Sequence, residues 1–195
     1  MRFLATEPRD SLSIAFIGTA GNVYDDAHFV DADRRRLRHL GHNLIETDVS
    51  AMSTSECEAA LDRADAIFVA GGNTFYLLQE LRVDDKFSVL RRAVLNGKPY
   101  IGASAGAVIL TSDVEYVRSI DDPEKAPMLT TTKGLGVVDF APLPHFGNPK
   151  YLSAYFEILE RHAGLDIVLL RDDQAVETRD GASYTVRVSE PLPEG

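Results

Sequence analysis

Lys98-Pro99-Tyr100-Ile101-Gly102-Ala103-Ser104-Ala105-Gly106-Ala107-Val108-Ile109-Leu110 reads as a short buried strand, a sharp turn and a helix. The turn, Gly102-x-Ser104-x-Gly106, has the pattern of a nucleophile elbow. Such a turn holds a serine hydroxyl clear of the backbone at the top of a parallel sheet. Small residues at Gly102, Ala103, Ala105 and Gly106 let strand and helix approach closely. The same five residues also fit an ordinary glycine-rich turn, so the flanking chain has to decide between the two.

Working back from the elbow, Phe87 to Asn96 read as a helix closed by Gly97, and Phe75 to Leu81 as another. Before them, the apolar run Asp65 to Ala70 is a strand that enters Gly71-Gly72-Asn73-Thr74 directly. Ser53 or Thr54 caps a helix ending at Arg63. His42 to Asp48 is a strand, and Asp31 to Leu40 a helix stopped by Gly41. Its Arg34-Arg35-Arg36 run suits a solvated face paired with Asp31 and Asp33. Ser11 to Gly18 is nearly all apolar, as a central parallel strand should be. The alternation of strands and helices predicts a doubly wound α/β sheet with right-handed crossovers and helices on both faces. Ligands of such sheets bind beyond the C-terminal strand ends, where Gly71-Gly72 and Ser104 both fall.

Beyond the elbow, Thr111 to Thr132 reads as an irregular acidic loop. Leu135 to Val138 is expected as a strand and Ala141 to Gly147 as a proline-stiffened loop carrying His145. A helix follows from Pro149 to about His162. Asp166 to Leu170 is a strand. Gln174 to Thr178 and Ser183 to Val188 form a terminal β-hairpin around Arg179-Asp180-Gly181, and Pro191 to Gly195 make a loose tail. Residues 1–195 are therefore expected to form a single catalytic α/β domain, a mostly parallel sheet between helices with a C-terminal hairpin.

Composition narrows the function classes. A net charge of −10 and a pI near 4.9 oppose binding to nucleic acid or to an anionic membrane surface. No run approaches the ~18 apolar residues that span a bilayer, and the first residues lack the apolar core of a signal peptide. The single cysteine, Cys57, excludes an intrachain disulfide and reads as structural. A cytoplasmic location follows as an expectation. No phosphate-loop, dinucleotide or zinc-ligand spacing occurs, so no cofactor or metal is expected.

A serine nucleophile needs a base, a group that orients it, and oxyanion donors. Of the five histidines, His28, His39 and His162 lie among charged helical residues, and His42 starts a strand at the far end of the sheet. His145, in a stiff and largely apolar loop, is the candidate base. Asp172 and Asp173 follow a strand on the active side; Asp121 and Asp122 rival them from the loop. The N–H groups of Ala105 and Gly72 are the candidate oxyanion donors.

Taken together, Ala70 to Leu78, Tyr100 to Ala107 and Pro144-His145-Phe146 resemble the peptidase E-like serine peptidases, peptidase family S51. That family includes aspartyl dipeptidase and, more distantly, cyanophycinase. The resemblance implies a class-I-glutamine-amidotransferase-like, flavodoxin-like three-layer sandwich and hydrolysis of short peptides, dipeptides including Asp-X among them. It implies Ser104 as nucleophile, His145 as base, Asp172 as the first choice of acid, and Gly72 and Ala105 at the oxyanion. Gly71, Asn73, Asp121, Asp122 and Lys150 are implied as substrate-binding positions, with Asp121 or Asp122 holding a peptide's free α-amino group. Members that cleave after aspartate carry an arginine soon after the histidine. Here Phe146 to Tyr151 has none, and Lys150 is the nearest cation. Other readings are a different amide or ester hydrolase, a β-linked peptide hydrolase, and a non-enzymatic binding module. The expected partner is a small peptide, with the chain a monomer or homodimer.

Overall fold

The computed structural model describes residues 11–189. The expected loose tail lies outside them. Four parallel strands form the main sheet in the order β2-β1-β3-β4, with β1 Ser13–Ile17, β2 Asn43–Glu46, β3 Ala66–Val69 and β4 Tyr100–Gly102. The registers pair Ile14 with Leu44 and with Ala66, and Phe68 with Ile101. Between the strands run α1 His28–His39, α2 Thr54–Arg63, α3 Thr74–Arg82 and α4 Lys86–Leu95, and the short α5 Ala105–Val108 follows β4.

Period-two alternation along β1 and β3 explains the layers. Ile14, Phe16 and Phe68 pack with Val30 and Leu37 of α1 on one face. The Phe16 and Phe68 rings stack there 5.5 Å apart. Ala15, Ile17, Ile67 and Val69 point the other way, into a cluster with Leu61 of α2, Leu77 of α3 and Leu90 of α4. Strands this apolar on both faces are stable only between helices. Cys57 is fully buried in the second cluster, where desolvation raises its thiol pKa, so its role is packing.

Local chemistry sets the helix ends as the sequence suggests. Ser53 caps α2 in a full capping box with Glu56. Lys98 reaches back to the α2 carboxyl end, donating to the Ala64 carbonyl at 2.7 Å. The α5 helix is only four residues long, and Thr111 Oγ1 donates to the Val108 carbonyl at 2.8 Å just beyond it.

Two expectations after the elbow are corrected. Leu135 to Val138 is not a strand. It runs alongside residues 109–111, with Leu135 N–H donating to Ile109 at 2.7 Å and Val137 N–H to Leu110 at 2.9 Å. The left-handed φ of 58° at Gly136 interrupts any extended run. Conversely, Ala141–Leu143, expected as loop, is strand β5, parallel to β6 Ile167–Leu169. Pro142 fits because the bonds to β6 leave from its neighbours. Ala141 N–H donates to Asp166, and Leu143 accepts from Leu170. The proline's missing donor faces the free side of a two-stranded unit.

This unit is also two-faced. Ala141 and Leu143 pack with Tyr155 and Ile158 of α6 Leu152–Arg161 and with Phe75 and Leu78 of α3. Phe140, Val168 and Leu170 pack under Val176 of the hairpin β7 Gln174–Thr178 and β8 Tyr184–Val188. One 3-10 turn, Pro149–Tyr151, precedes α6, so the helix starts later than Pro149. Among the described residues, no helix is long and apolar enough to cross a membrane, and no cluster of His, Cys, Asp or Glu is grouped to hold a metal ion.

Candidate active site

The strand β4 delivers the chain to Ser104, which sits at φ 47° and ψ −110°. That backbone is sparsely populated for a non-glycine residue and persists only where its surroundings enforce it. The enforcement is close packing. A Cβ on Gly106 would lie 2.3 Å from the Val69 carbonyl oxygen, and one on Gly102 2.4 Å from Gly106. With hydrogens in both places, α5 lies directly against β3 and β4, and the serine is pushed outward.

Ser104 Oγ lies 3.0 Å from Nε2 of His145, and Nδ1 of the same ring lies 2.7 Å from Asp172 Oδ1. An ionised carboxylate only accepts, so the imidazole proton sits on Nδ1, and the lone pair of Nε2 faces the serine hydroxyl. The backbone of His145 is itself in the left-handed region, at φ 62°. Asp173 takes no part in this chain. It accepts from Arg171 Nε and Nη2 at 3.0 Å each, and the guanidinium holds its carboxyl below the usual range. The Asp172 side chain is 70% exposed, against 34% for His145. Water therefore screens its charge, and its main physical effect is on ring orientation.

The Gly71-Gly72 turn crosses the mouth of β3 beside the serine. A Cβ on Gly71 would stand 3.2 Å from Ser104 Cβ and 3.9 Å from its Oγ. Gly72 has φ +140°, and a Cβ there would strike the Ala20 carbonyl at 2.1 Å. Only glycine lets the turn lie this close to the loop after β1, where Asn73 N–H donates to Ala20 at 2.8 Å. Among the described residues, no acceptor takes the N–H of Gly72 or of Ala105.

The remaining predicted positions divide by what they touch. Asn73 is fully buried and spends both ends of its side chain on structure: Oδ1 accepts from Tyr76 N–H at 2.8 Å, capping α3, and Nδ2 donates to the Asp122 carbonyl at 2.8 Å. Asp122 folds its carboxylate onto Glu124 N–H at 2.9 Å. Asp121 accepts from Thr74 N–H at 2.9 Å, and burial pushes its carboxyl pKa up, opposed by Thr74 and by the nearby His145. Lys150 is exposed, its Nζ 5.1 Å from the Tyr151 ring centre, and that ring is 6.0 Å from the imidazole.

Sequence reasoning missed Tyr24, Tyr151 and Tyr155. Tyr24 lies within electrostatic reach of Asp121, Asp122 and Tyr151. Tyr151 and Tyr155, one helical turn apart, flank the histidine loop. Their i, i+4 spacing just after His145 was the available signal.

Comparison with known proteins matches the family model described as peptidase family S51 over residues 2–186. An uncharacterized peptidase of Listeria innocua, Lin0382, is 36% identical over 173 residues, covering 84% of this chain and 83% of that protein. A peptidase E of Shewanella amazonensis is 34% identical over 144 residues, 74% of this chain and 58% of that one. The 1.5 Å crystal structure of a Listeria monocytogenes EGD-e protein assigned as a peptidase E superposes with a TM-score of 0.88 at 32% identity, over 96% of this chain and 92% of that one. A peptidase from an acI-B1 actinobacterium shares the fold, at TM-score 0.65, 18% identity and coverage of 94% and 79%. The chain belongs to peptidase family S51 and is a serine-type peptidase of the peptidase E type.

Proposed function

We propose that this protein hydrolyses short peptides, dipeptides foremost, through Ser104, His145 and Asp172, and that residues 1–195 act as one catalytic domain. The observation that carries the reading is the continuous chain from Ser104 Oγ through the imidazole to Asp172, at 3.0 and 2.7 Å. Ser104 attacks the scissile carbonyl while His145 Nε2 takes its proton. Asp172 holds the tautomer that makes Nε2 the acceptor. The unclaimed N–H groups of Gly72 and Ala105 receive the oxyanion. His145 then gives its proton to the leaving amine, and water repeats the sequence on the acyl-enzyme.

Asp121 supports recognition of a free α-amino group. Its carboxylate is positioned by Thr74 N–H and lies within electrostatic reach of His145, whereas that of Asp122 is occupied in its own turn. An ammonium brought to Asp121 offsets the burial that otherwise disfavours its charge. Lys150 offers an acidic side chain a point charge without the two-pronged geometry of arginine. Neutral side chains are therefore expected to be accepted at least as well as aspartate.

A panel of Asp-X, Glu-X, Ala-X, Leu-X and β-Asp-X dipeptides, assayed with wild type and Ser104→Ala, tests the proposal. The expected result is turnover of α-linked dipeptides that disappears in the variant, with fluorophosphonate labelling confined to Ser104. Turnover of the β-linked substrate alone selects the β-peptide hydrolase. Absence of both turnover and labelling selects the binding module.

A further inference from the structure

We propose that Tyr155 is a positioning residue for the imidazole of His145; this rests on reading His145 as the base. His145 lies outside regular structure, two residues past the end of β5 and before α6. Its left-handed backbone, φ 62°, is disfavoured for a residue with a β-carbon and needs external support. Two donors meet its carbonyl oxygen. Asn148 N–H, at 3.0 Å, belongs to the local turn. The Tyr155 hydroxyl comes from α6 and ties the oxygen end of this peptide to that helix, while its other end, Phe146 N–H, donates to Leu170 at 2.9 Å; the hydroxyl also lies 3.4 Å from the Pro144 carbonyl.

Tyr155 is suited to this task. It is 2% exposed and packs with Leu143, Ile158 and Phe75. Its ring centre is 5.5 Å from that of Phe146 and 6.2 Å from that of Tyr151. Burial pushes the phenol pKa up to about 12, so the hydroxyl remains a donor across the working range. Fixing the carbonyl of a left-handed residue fixes its peptide plane and the direction of its Cα–Cβ bond. A displacement of ~1 Å there moves Nε2 out of hydrogen-bond range of Ser104, an error that costs up to about 10²-fold in rate.

Tyr155→Phe keeps the ring and deletes the hydroxyl. The expected result is a fall in kcat of about tenfold with KM within about twofold, and an equal fall in the rate of fluorophosphonate labelling, which needs an activated serine but no peptide binding. The thermal midpoint should move by less than about 4 °C. Tyr155→Leu, which removes ring and hydroxyl, should lose no less kcat and more stability. If packing alone matters, Phe restores what Leu loses, and the inference is overturned. It is also overturned if Tyr155→Phe raises KM as much as it lowers kcat. His145→Ala separates the two layers. Full activity there sinks the triad itself, whereas an inactive His145→Ala beside a fully active Tyr155→Phe sinks only the role of Tyr155.

Discussion

The proposed nucleophile and its proposed base are built in opposite ways. Ser104 stands in a turn made by one continuous segment: a strand ending at Gly102, a helix beginning at Ala105, and glycines that let that helix lie against β3 and β4. His145 and Asp172 are 27 residues apart and meet because β5 and β6 pair in parallel and end together. Local sterics dictate the first arrangement. Long-range strand pairing dictates the second, reinforced by Phe146 N–H donating to Leu170 at 2.9 Å. The elbow therefore depends on a single segment, whereas the proposed triad depends on the β5–β6 unit staying docked.

The largest test of that contrast removes one group from each side. Ser104→Ala and His145→Ala should each lower kcat by about 10³-fold or more, and the double variant should lose little further, because the two act as a unit. Steady-state dipeptide hydrolysis measures this, and losses that multiply would break the unit apart. On the nucleophile side, Gly106→Ala places a methyl 2.3 Å from the Val69 carbonyl. Overpacking of this kind costs about 1–3 kcal/mol, and the melting temperature should fall accordingly while the β5–β6 unit is untouched.

On the base side, Asp172→Asn should lower kcat by about 10²–10³-fold. That is less than the ~10⁴-fold known for a buried triad acid, because exposure screens the charge of Asp172 while its loss still frees the tautomer. Asp173→Asn should change kcat by less than about threefold, since its carboxylate is engaged by Arg171. The reverse ranking in kinetic assays would exchange their roles.

Asp121→Asn probes the boundary between the two regions. A charge-assisted bond is worth about 1.5–3 kcal/mol, so KM for free dipeptides should rise by about tenfold or more, with N-acetylated substrates unaffected. Stability should respond too. Burial raises this carboxyl above its ordinary 3.8, so the folded state keeps a proton that the unfolded chain has lost. Stability contributed by the neutral form is present at low pH and declines as pH rises through that window. Melting curves from pH 4 to 7 should show a shallower decline in Asp121→Asn.

How much of this was legible follows from the same contrast. Every element of the main sheet was expected within a few residues, because apolar runs, caps and glycine stops are local signals. The misread secondary-structure elements all lie past the elbow. Pro142 argued for a loop, and only the pairing of its neighbours with β6 shows why it is tolerated in a strand. Leu135 to Val138 carried a strand pattern, yet Gly136 turns it away from any ladder. Asn73 sits in the glycine turn but is committed to capping α3 and holding the Asp122 carbonyl.

From residues alone came the α/β class, the elbow at Ser104, the facing glycine turn and the candidacy of His145, since each rests on short-range sterics or on the chemistry of one side chain. The tertiary structure alone decided the rest. It set Asp172 against the imidazole and Asp173 against Arg171, turned Asp121 toward Thr74, and brought Tyr155 to the His145 carbonyl. Adjacent acids are equivalent in a sequence. They become different only when strand ends and helix faces fix which side chain meets which partner.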